Sequence, residues 1–276
     1  MKTAGIRNVR LPLGWWAFVD EADEITRPDG RPSIVTDPVY SNRKFVAVTH
    51  DYLIDVLEMF ARNGVSVLLD LHAYPGGSSD GSYNGIYPLA PVFFTDNALK
   101  EKGFDIVQRL CDFYNNLPAY LQITINGVTL MNEPGHMLPD QGSAMTSWVA
   151  TACSIYRTTV VENAGDIAAP LLYVNFIDTV ISGTEIVQFF IDTFTEAELA
   201  DWVVMDIHFY FAWNNLAATC IDNSAPGCVE SFLFLLFLPR SNHLFLNIIE
   251  LSQLRLCVRL LSEPRESCHG KTERME

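Results

Sequence analysis

The chain has 276 residues, of which 49% are hydrophobic and 12% aromatic, and a formal net charge of -15. This composition excludes a disordered polymer, and the length is enough for one large domain or two small ones. The strong negative charge argues against a nucleic-acid partner, because nucleic-acid binding needs a basic surface.

Five apolar runs predict β-strands. They are continuous runs of Val, Leu and Ile, which is typical of strands that are buried on both faces. In chain order they are VRLPL (Val9–Leu13), VSVLLDLH (Val65–His72), VTLM (Val128–Met131), PLLYVNF (Pro170–Phe176) and VVMDIHFYF (Val203–Phe211).

Helical patterns lie between these runs. Phe45–Asn63 has apolar residues on one side, a second pattern follows Asp96 as a predicted N-cap, and a third covers Trp148–Val161. The alternation of strand and helix predicts a parallel sheet with crossover helices. Both a (β/α)8 barrel and a doubly wound sheet fit, but no Gly-rich phosphate loop follows the first strand.

The composition changes near Ser231. Residues 231–276 contain no Asp, Trp or Tyr and carry six Lys/Arg and five Glu, which leaves 12 basic and 28 acidic groups in residues 1–230. We therefore predict a partial barrel in residues 1–230 and an atypical tail in 231–276, such as a mis-spliced or frame-shifted end would give. The apolar run of this tail is too short and too interrupted for a membrane span.

The cysteines leave two interpretations open. Cys220 and Cys228 flank the turn-rich segment IDNSAPG, and they are either a disulfide in an oxidising compartment or two unrelated thiols. None of the six cysteines shows metal-ligand spacing. We expect no metal and no cofactor.

Polar or aromatic residues stand at the end of every predicted strand. In a barrel these ends form one face, where active sites lie. Glu133 follows the apolar run VTLM directly, and a carboxylate there is costly unless it has a function. The set comprises Trp15, Trp16, His72, Asn132, Glu133, Asn175, His208 and Tyr210.

Four segments resemble glycoside hydrolase family 5. They are GIRNVRLPLGWWAF, VLLDLHAYPGGSSDG, VTLMNEP and VVMDIHFYFAW, in that order across about residues 5–213. The first two are most similar to the exo-β-1,3-glucanase branch of the family. The resemblance implies a (β/α)8 barrel, incomplete here because strands two to six are recognisable, in a chain truncated at both ends. It also implies retaining hydrolysis of a β-glucan.

The resemblance assigns roles to the residues at the strand ends. Glu133 matches the general acid/base, and Asn132 matches the amide that holds the sugar 2-hydroxyl. Arg10 matches the arginine beneath the catalytic carboxylates. His72 matches a histidine on the substrate side.

The same comparison places His208 and Tyr210 in the substrate site, as an H-x-Y pair. Trp15 and Trp16 offer faces on which a pyranose ring stacks, although at least one of them is expected in the core. The implied protein is a monomer that binds a β-glucan or oligosaccharide and neither nucleic acid nor a membrane. Its implied location is extracellular or associated with a cell wall, although the first residues show no signal-peptide pattern.

The nucleophile of a retaining glycosidase is a second carboxylate, roughly 5–5.5 Å from the acid. The family has it in a Gly-Glu-aromatic context, and that motif is absent from this sequence. Glu250 in LFLNIIELS is a candidate, and Glu263 is another. We therefore expect weak oligosaccharide binding and negligible hydrolysis from this polypeptide. The alternatives are a catalytically inactive carbohydrate-binding remnant and an endo-β-1,4-glucanase or mannanase of the same family.

Overall fold

The computed structural model describes residues 5–23, 33–135, 142–177, 182–208, 234–236 and 245–247. The chain divides into two compact units, Met1–Phe209 and Tyr210–Glu276. The predicted division at Ser231 stays a prediction. Tyr210, Cys220, Cys228, Glu250 and Glu263 lie outside the described residues.

Strands and helices alternate along the first unit. Its elements are β1 (Asn8–Gly14), α1 (Asp20–Asp23), β2 (Ile34–Thr36), β3 (Lys44–Val46), α2 (His50–Arg62), β4 (Ser66–Ala73), α3 (Asn97–Asn116), α4 (Ala119–Thr124), β5 (Ile125–Thr129), α5 (Gly142–Tyr156), β6 (Leu171–Ile177), α6 (Gly183–Thr193), α7 (Glu196–Asp201) and β7 (Val203–His208). Short 3-10 turns at Trp15–Ala17 and Phe93–Thr95 and a π-helical turn at Arg157–Val161 complete it.

Five strands form one parallel sheet in the order β1-β4-β5-β6-β7. Each strand pairs with the next strand of the sheet along the chain, and helices lie in every crossover. A doubly wound sheet reverses its strand order at a switch point, whereas a barrel does not. The order here never reverses, so the described sheet is a partial (β/α) barrel, as the sequence predicts.

The inner strand β4 is held by its apolar side chains. Val67, Leu69 and Leu71 are each at most 1% exposed. Burying one such side chain contributes about 1.5–3 kcal/mol. Asp70 lies between Leu69 and Leu71 in the sequence and is 0% exposed, so β4 contains a buried acidic residue.

The helix α2 begins later than the predicted start at Phe45. The Thr49 hydroxyl caps its first turn by accepting the Tyr52 N–H at 3.3 Å, and Gly64 follows its end with a φ of 61°. Phe45 lies instead in β3, which pairs with β2 as an antiparallel hairpin. The predicted start is wrong because apolar spacing alone does not separate a short strand from the first turn of a helix.

The Asp96 cap of α3 is confirmed. Its carboxylate accepts the N–H groups of Ala98 at 2.8 Å and Leu99 at 3.3 Å. The same helix packs on α5, where the Trp148 indole N–H donates to the Lys100 carbonyl at 3.1 Å. The indole contact joins α3 to α5.

The strand β5 ends earlier than the predicted run VTLM. It covers Ile125–Thr129, so Leu130 and Met131 already belong to the turn that follows. The Tyr74 hydroxyl donates to the Leu130 carbonyl, and the Asn132 N–H donates to the Leu71 carbonyl at 2.9 Å. The turn after β5 is therefore tied to the end of β4.

The second unit contains a short antiparallel pair, β8 (Phe234–Leu236) with β9 (Phe245–Asn247). Within the described parts of both units, every helix is too short or too polar to cross a membrane.

Candidate active site

Glu133 lies in the turn directly after β5, at the carboxyl end of the sheet. It is 2% exposed, and its φ of 45° is in the left-handed region. Its backbone N–H donates to Asn175 Oδ1 at 2.6 Å, and its Oε1 lies 2.6 Å from His208 Nδ1. Gly135, two residues on, donates its N–H to the Ser78 carbonyl at 2.7 Å. Main-chain and side-chain contacts therefore hold this carboxylate in one place.

His208 ends β7 and lies between two carboxylates. Its Nδ1 is 2.6 Å from Glu133 Oε1, and its Nε2 is 3.2 Å from Asp206 Oδ2. Burial lowers the pKa of His208, but the hydrogen bonds to Asp206 and Glu133 outweigh it and raise the pKa to about 9. At neutral pH both ring nitrogens therefore carry protons and donate to the two carboxylates.

A second group of side chains forms a closed ring of hydrogen bonds. Arg10 donates from Nε to Asp70 Oδ2 at 2.8 Å and from its terminal nitrogen to Asn132 Oδ1 at 2.6 Å. His72 Nδ1 lies 2.6 Å from the same Asp70 oxygen. Asn132 Nδ2 closes the ring with His72 Nε2 at 3.4 Å.

The ring settles the orientation of its members. A carboxylate only accepts, so His72 carries a proton on Nδ1 where it meets Asp70. Arg10 only donates, so the Asn132 carbonyl oxygen faces it, and the Asn132 amide nitrogen points towards His72. The Asn132 Nδ2 group is therefore a hydrogen-bond donor with a fixed orientation, and Asn132 is the residue directly before Glu133.

The sheet explains why these side chains meet. In the β1–β4 register Arg10 is opposite Leu68 and Pro12 is opposite Asp70. Alternate residues of a strand share a face, so Arg10, Asp70 and His72 lie on the same face of the sheet. Parallel strands bring their carboxyl ends to one edge, where the turn after β5 adds Asn132 and Glu133.

The two tryptophans have different environments. Trp15 is 1% exposed and belongs to the core, so it offers no face to a sugar. Trp16 is half-buried and stacks on Phe45 with ring centroids 4.0 Å apart and planes 1° apart. The expectation that at least one of the pair is a core residue is confirmed.

The structure brings together five of the predicted residues: Arg10, His72, Asn132, Glu133 and His208. Three further residues, Asp70, Asn175 and Asp206, contact this set without having been assigned a part in the site. In the sequence, these three residues are distinguished only as polar residues that lie inside or at the end of an apolar run. Within the described residues, no group of three or more His, Cys, Asp or Glu is arranged to hold a metal ion.

No family model matches the chain. It is 26% identical over 145 residues to glucan 1,3-β-glucosidase 2 of Wickerhamomyces anomalus, which covers 52% of this chain and 29% of that protein. It is also 26% identical over 165 residues to glucan 1,3-β-glucosidase D of Emericella nidulans, covering 57% of this chain and 17% of that protein. The chain is similar in sequence to these glucan 1,3-β-glucosidases over about half of its length. This similarity supports the glucanase resemblance that the motifs predict.

The chain spans less than a third of the length of these glucan 1,3-β-glucosidases. Among solved structures it is similar to endo-glycoceramidase II from Rhodococcus sp., with a TM-score of 0.47 and 15% identity over 79% of this chain and 52% of that one. A glycoside hydrolase family 5 enzyme of Prevotella bryantii gives a TM-score of 0.46 and 16% identity over 78% of this chain and 53% of that one.

Proposed function

We propose that this chain is a β-glucan hydrolase of the retaining type and that Glu133 is its general acid/base. The observation that supports this role most directly is the buried Glu133 carboxylate, 2.6 Å from His208, at the carboxyl end of β5. A retaining glycosidase needs one carboxyl group that gives a proton to the leaving oxygen and later takes one from water. A carboxylate on a partial barrel, coupled to a charged imidazole, fits that requirement.

The Glu133–His208 pair holds the proton that this chemistry uses. With the pKa of His208 raised to about 9, the imidazole carries both of its protons at neutral pH, and one of them lies between His208 Nδ1 and Glu133 Oε1. Because the two groups are in direct contact, they titrate as a pair. A leaving-group oxygen bound at Glu133 would receive this shared proton, and Asp206 keeps the other nitrogen of His208 protonated.

Asn132 is proposed to bind a sugar hydroxyl. Its amide is neutral, so it binds a hydroxyl without changing the charge at Glu133. Arg10 and His72 hold the amide in one orientation, which makes Asn132 a preorganised donor. Trp16 and Tyr210 are proposed to contact the sugar ring.

Two carboxylates that contact the predicted site residues are poor nucleophile candidates. Asp70 is 0% exposed and bound to Arg10 and His72, so a sugar cannot reach it. Asp206 Oδ2 is held by His208 Nε2 at 3.2 Å. Glu250, the candidate that the sequence offers, is the residue that we propose to test as the nucleophile of any hydrolysis by this chain.

A carbohydrate-binding protein without turnover is the second candidate function. The observation that favours it is that Asp70 and Asp206, the two carboxylates that contact the predicted site residues, each already hydrogen-bond a partner there. Asn132 and Trp16 would bind sugar in either case.

The experiment compares glucose release and oligosaccharide binding by residues 1–276 on a laminarin-type β-1,3-glucan. Release that is slowed on the order of 10²–10⁴-fold by Glu133→Gln supports the hydrolase, since this is the range for a general acid/base. Loss of release in Glu250→Gln, with binding retained, supports Glu250 as nucleophile. Binding without release supports the second candidate. Neither binding nor release would contradict both.

An extracellular or cell wall-associated location and a monomeric state are implied by the resemblance. Both stay predictions.

A further inference from the structure

Glu133 has a backbone conformation that its sequence does not favour. Its φ of 45° lies in the left-handed region, which side chains other than glycine rarely adopt. Pro134 follows, and a residue before proline is driven towards extended conformations. A contact from outside the turn is therefore needed to keep Glu133 in place.

Asn175 supplies such a contact. It lies in β6, is 2% exposed, and is the register partner of Asp206 on β7. Its Oδ1 accepts the Glu133 N–H at 2.6 Å. An N–H only donates, so the amide oxygen and not the amide nitrogen must face Glu133. The hydrogen bond thus joins the turn after β5 to the neighbouring strand.

The other end of the same amide is buried. Among the described residues Asn175 Nδ2 has no hydrogen-bond partner, and the residue lines a cavity of about 10 Å³ together with Met131, Pro134 and Tyr173. A cavity of this volume is at the lower limit for holding one water molecule. A buried polar amide is retained there although an apolar side chain would fit the surroundings better. Its contact with Glu133 is the described interaction that accounts for it.

We propose that Asn175 is a positioning residue, which holds the Glu133 main chain in the left-handed conformation that directs the carboxylate at His208. The role of Glu133 as acid/base rests on the proposed function, whereas the positioning itself does not. Without the Asn175 oxygen, the Glu133 N–H would be buried and unpaired, and the turn would relax towards the extended conformation that Pro134 favours. The contact between Glu133 and His208 would then lengthen.

His208 reports on this contact. It faces Glu133 and Asp206. Tyr173 of β6 also faces Asp206, and burial, followed by the charge of Asp206, raises the pKa of the Tyr173 hydroxyl. If Glu133 moves away, Asp206 alone remains to stabilise the imidazolium. The pKa of His208 should then fall from about 9 towards 6.5.

The test is an NMR titration of residues 1–276 with labelled histidine, with the His208 signal assigned by its loss in His208→Asn. Asn175→Leu keeps the volume and removes the acceptor, so we expect the pKa of His208 to fall by about one or more. Asn175→Asp keeps the acceptor, so the pKa should hold or rise. Asn126→Leu is the control, because Asn126 is an exposed residue of β5 that bonds Asn8 at 3.0 Å.

Three results would overturn the proposal. They are an unchanged His208 pKa in Asn175→Leu, an equal fall in Asn126→Leu, and a fall in Asn175→Asp. If Asn175→Leu does not fold, Asn175→Ala, which also removes the acceptor, takes its place, and the same fall in the pKa of His208 is expected. The titration needs no sugar, so a chain that shows the expected shifts but neither binds nor cleaves β-glucan would refute the proposed function and leave the positioning role standing.

Discussion

Raising the pH is expected to destabilise the fold through His208. The folded pKa of about 9 lies above the ordinary value of 6.5. A group with a raised folded pKa contributes its full stability below the unfolded pKa and loses it as the pH rises through the folded pKa. At about 1.4 kcal/mol per pKa unit, the difference corresponds to about 3 kcal/mol of unfolding free energy. That contribution should be present at about pH 6 and gone by about pH 10.

The assay is urea unfolding of the wild type and of His208→Asn at a series of pH values. Lys, Tyr and Cys groups titrate in both proteins, so their effects cancel in the difference between the two unfolding free energies. We expect that difference to shrink by about 3 kcal/mol between about pH 6 and pH 10. Parallel curves across this range would show that Glu133 and Asp206 do not hold a charged imidazole, and the reasoning about the pair would fail.

Three further predictions concern other parts of the chain. Arg10→Met should lower the unfolding free energy by about 3 kcal/mol, because it leaves the buried Asp70 carboxylate without its cation. The control is Arg62→Met, which should cost less than about 1 kcal/mol because Arg62 is 75% exposed and pairs with Glu58 at the surface. Thr195→Ala removes the capping box of α7 and should cost about 1 kcal/mol in the same measurement, and Thr195→Ser should restore it. Limited proteolysis should cut residues 231–276 before any strand of the parallel sheet; first cuts inside β4 or β7 would contradict the sheet assignment.

The main elements could be predicted from the sequence because they depend on local patterns. The continuous apolar run around Asp70 predicts a strand buried on both faces. In β4 the residues Val67, Leu69 and Leu71 are buried on one face, and Asp70 is buried on the other. Asp96 predicts a helix start because a carboxylate satisfies the free N–H groups of a first turn. Boundaries were less predictable. Phe45 fits helical spacing but lies in the β2–β3 hairpin, and that pairing depends on residues distant in the sequence.

The contacts within the site could not be predicted from spacing. Glu133 and His208 are 75 residues apart, and Arg10 and Asn132 are 122 apart. The motif resemblance assigned parts to these residues, but their distances follow from strand register. The sequence shows Asn175 as a polar residue at a strand end but does not indicate its role. Its partner is the main-chain N–H of Glu133, and every residue except proline has such a group.

The central claim is that Glu133 acts as the proton donor at a β-glucoside, and an external nucleophile tests it most directly. Azide added to the Glu250→Gln variant of residues 1–276 with a β-1,3-linked glucan oligosaccharide can attack the anomeric carbon from the α face, while the leaving oxygen takes the proton that Glu133 and His208 share. A retaining site that keeps its acid and has lost its nucleophile is expected to give α-glucosyl azide by this route. Glu133→Gln should slow product formation on the order of 10²–10⁴-fold, and less with an aryl glycoside whose leaving group needs little protonation. Equal azide product from Glu250→Gln with and without Glu133→Gln on the oligosaccharide, or none from either, would contradict the assignment of Glu133.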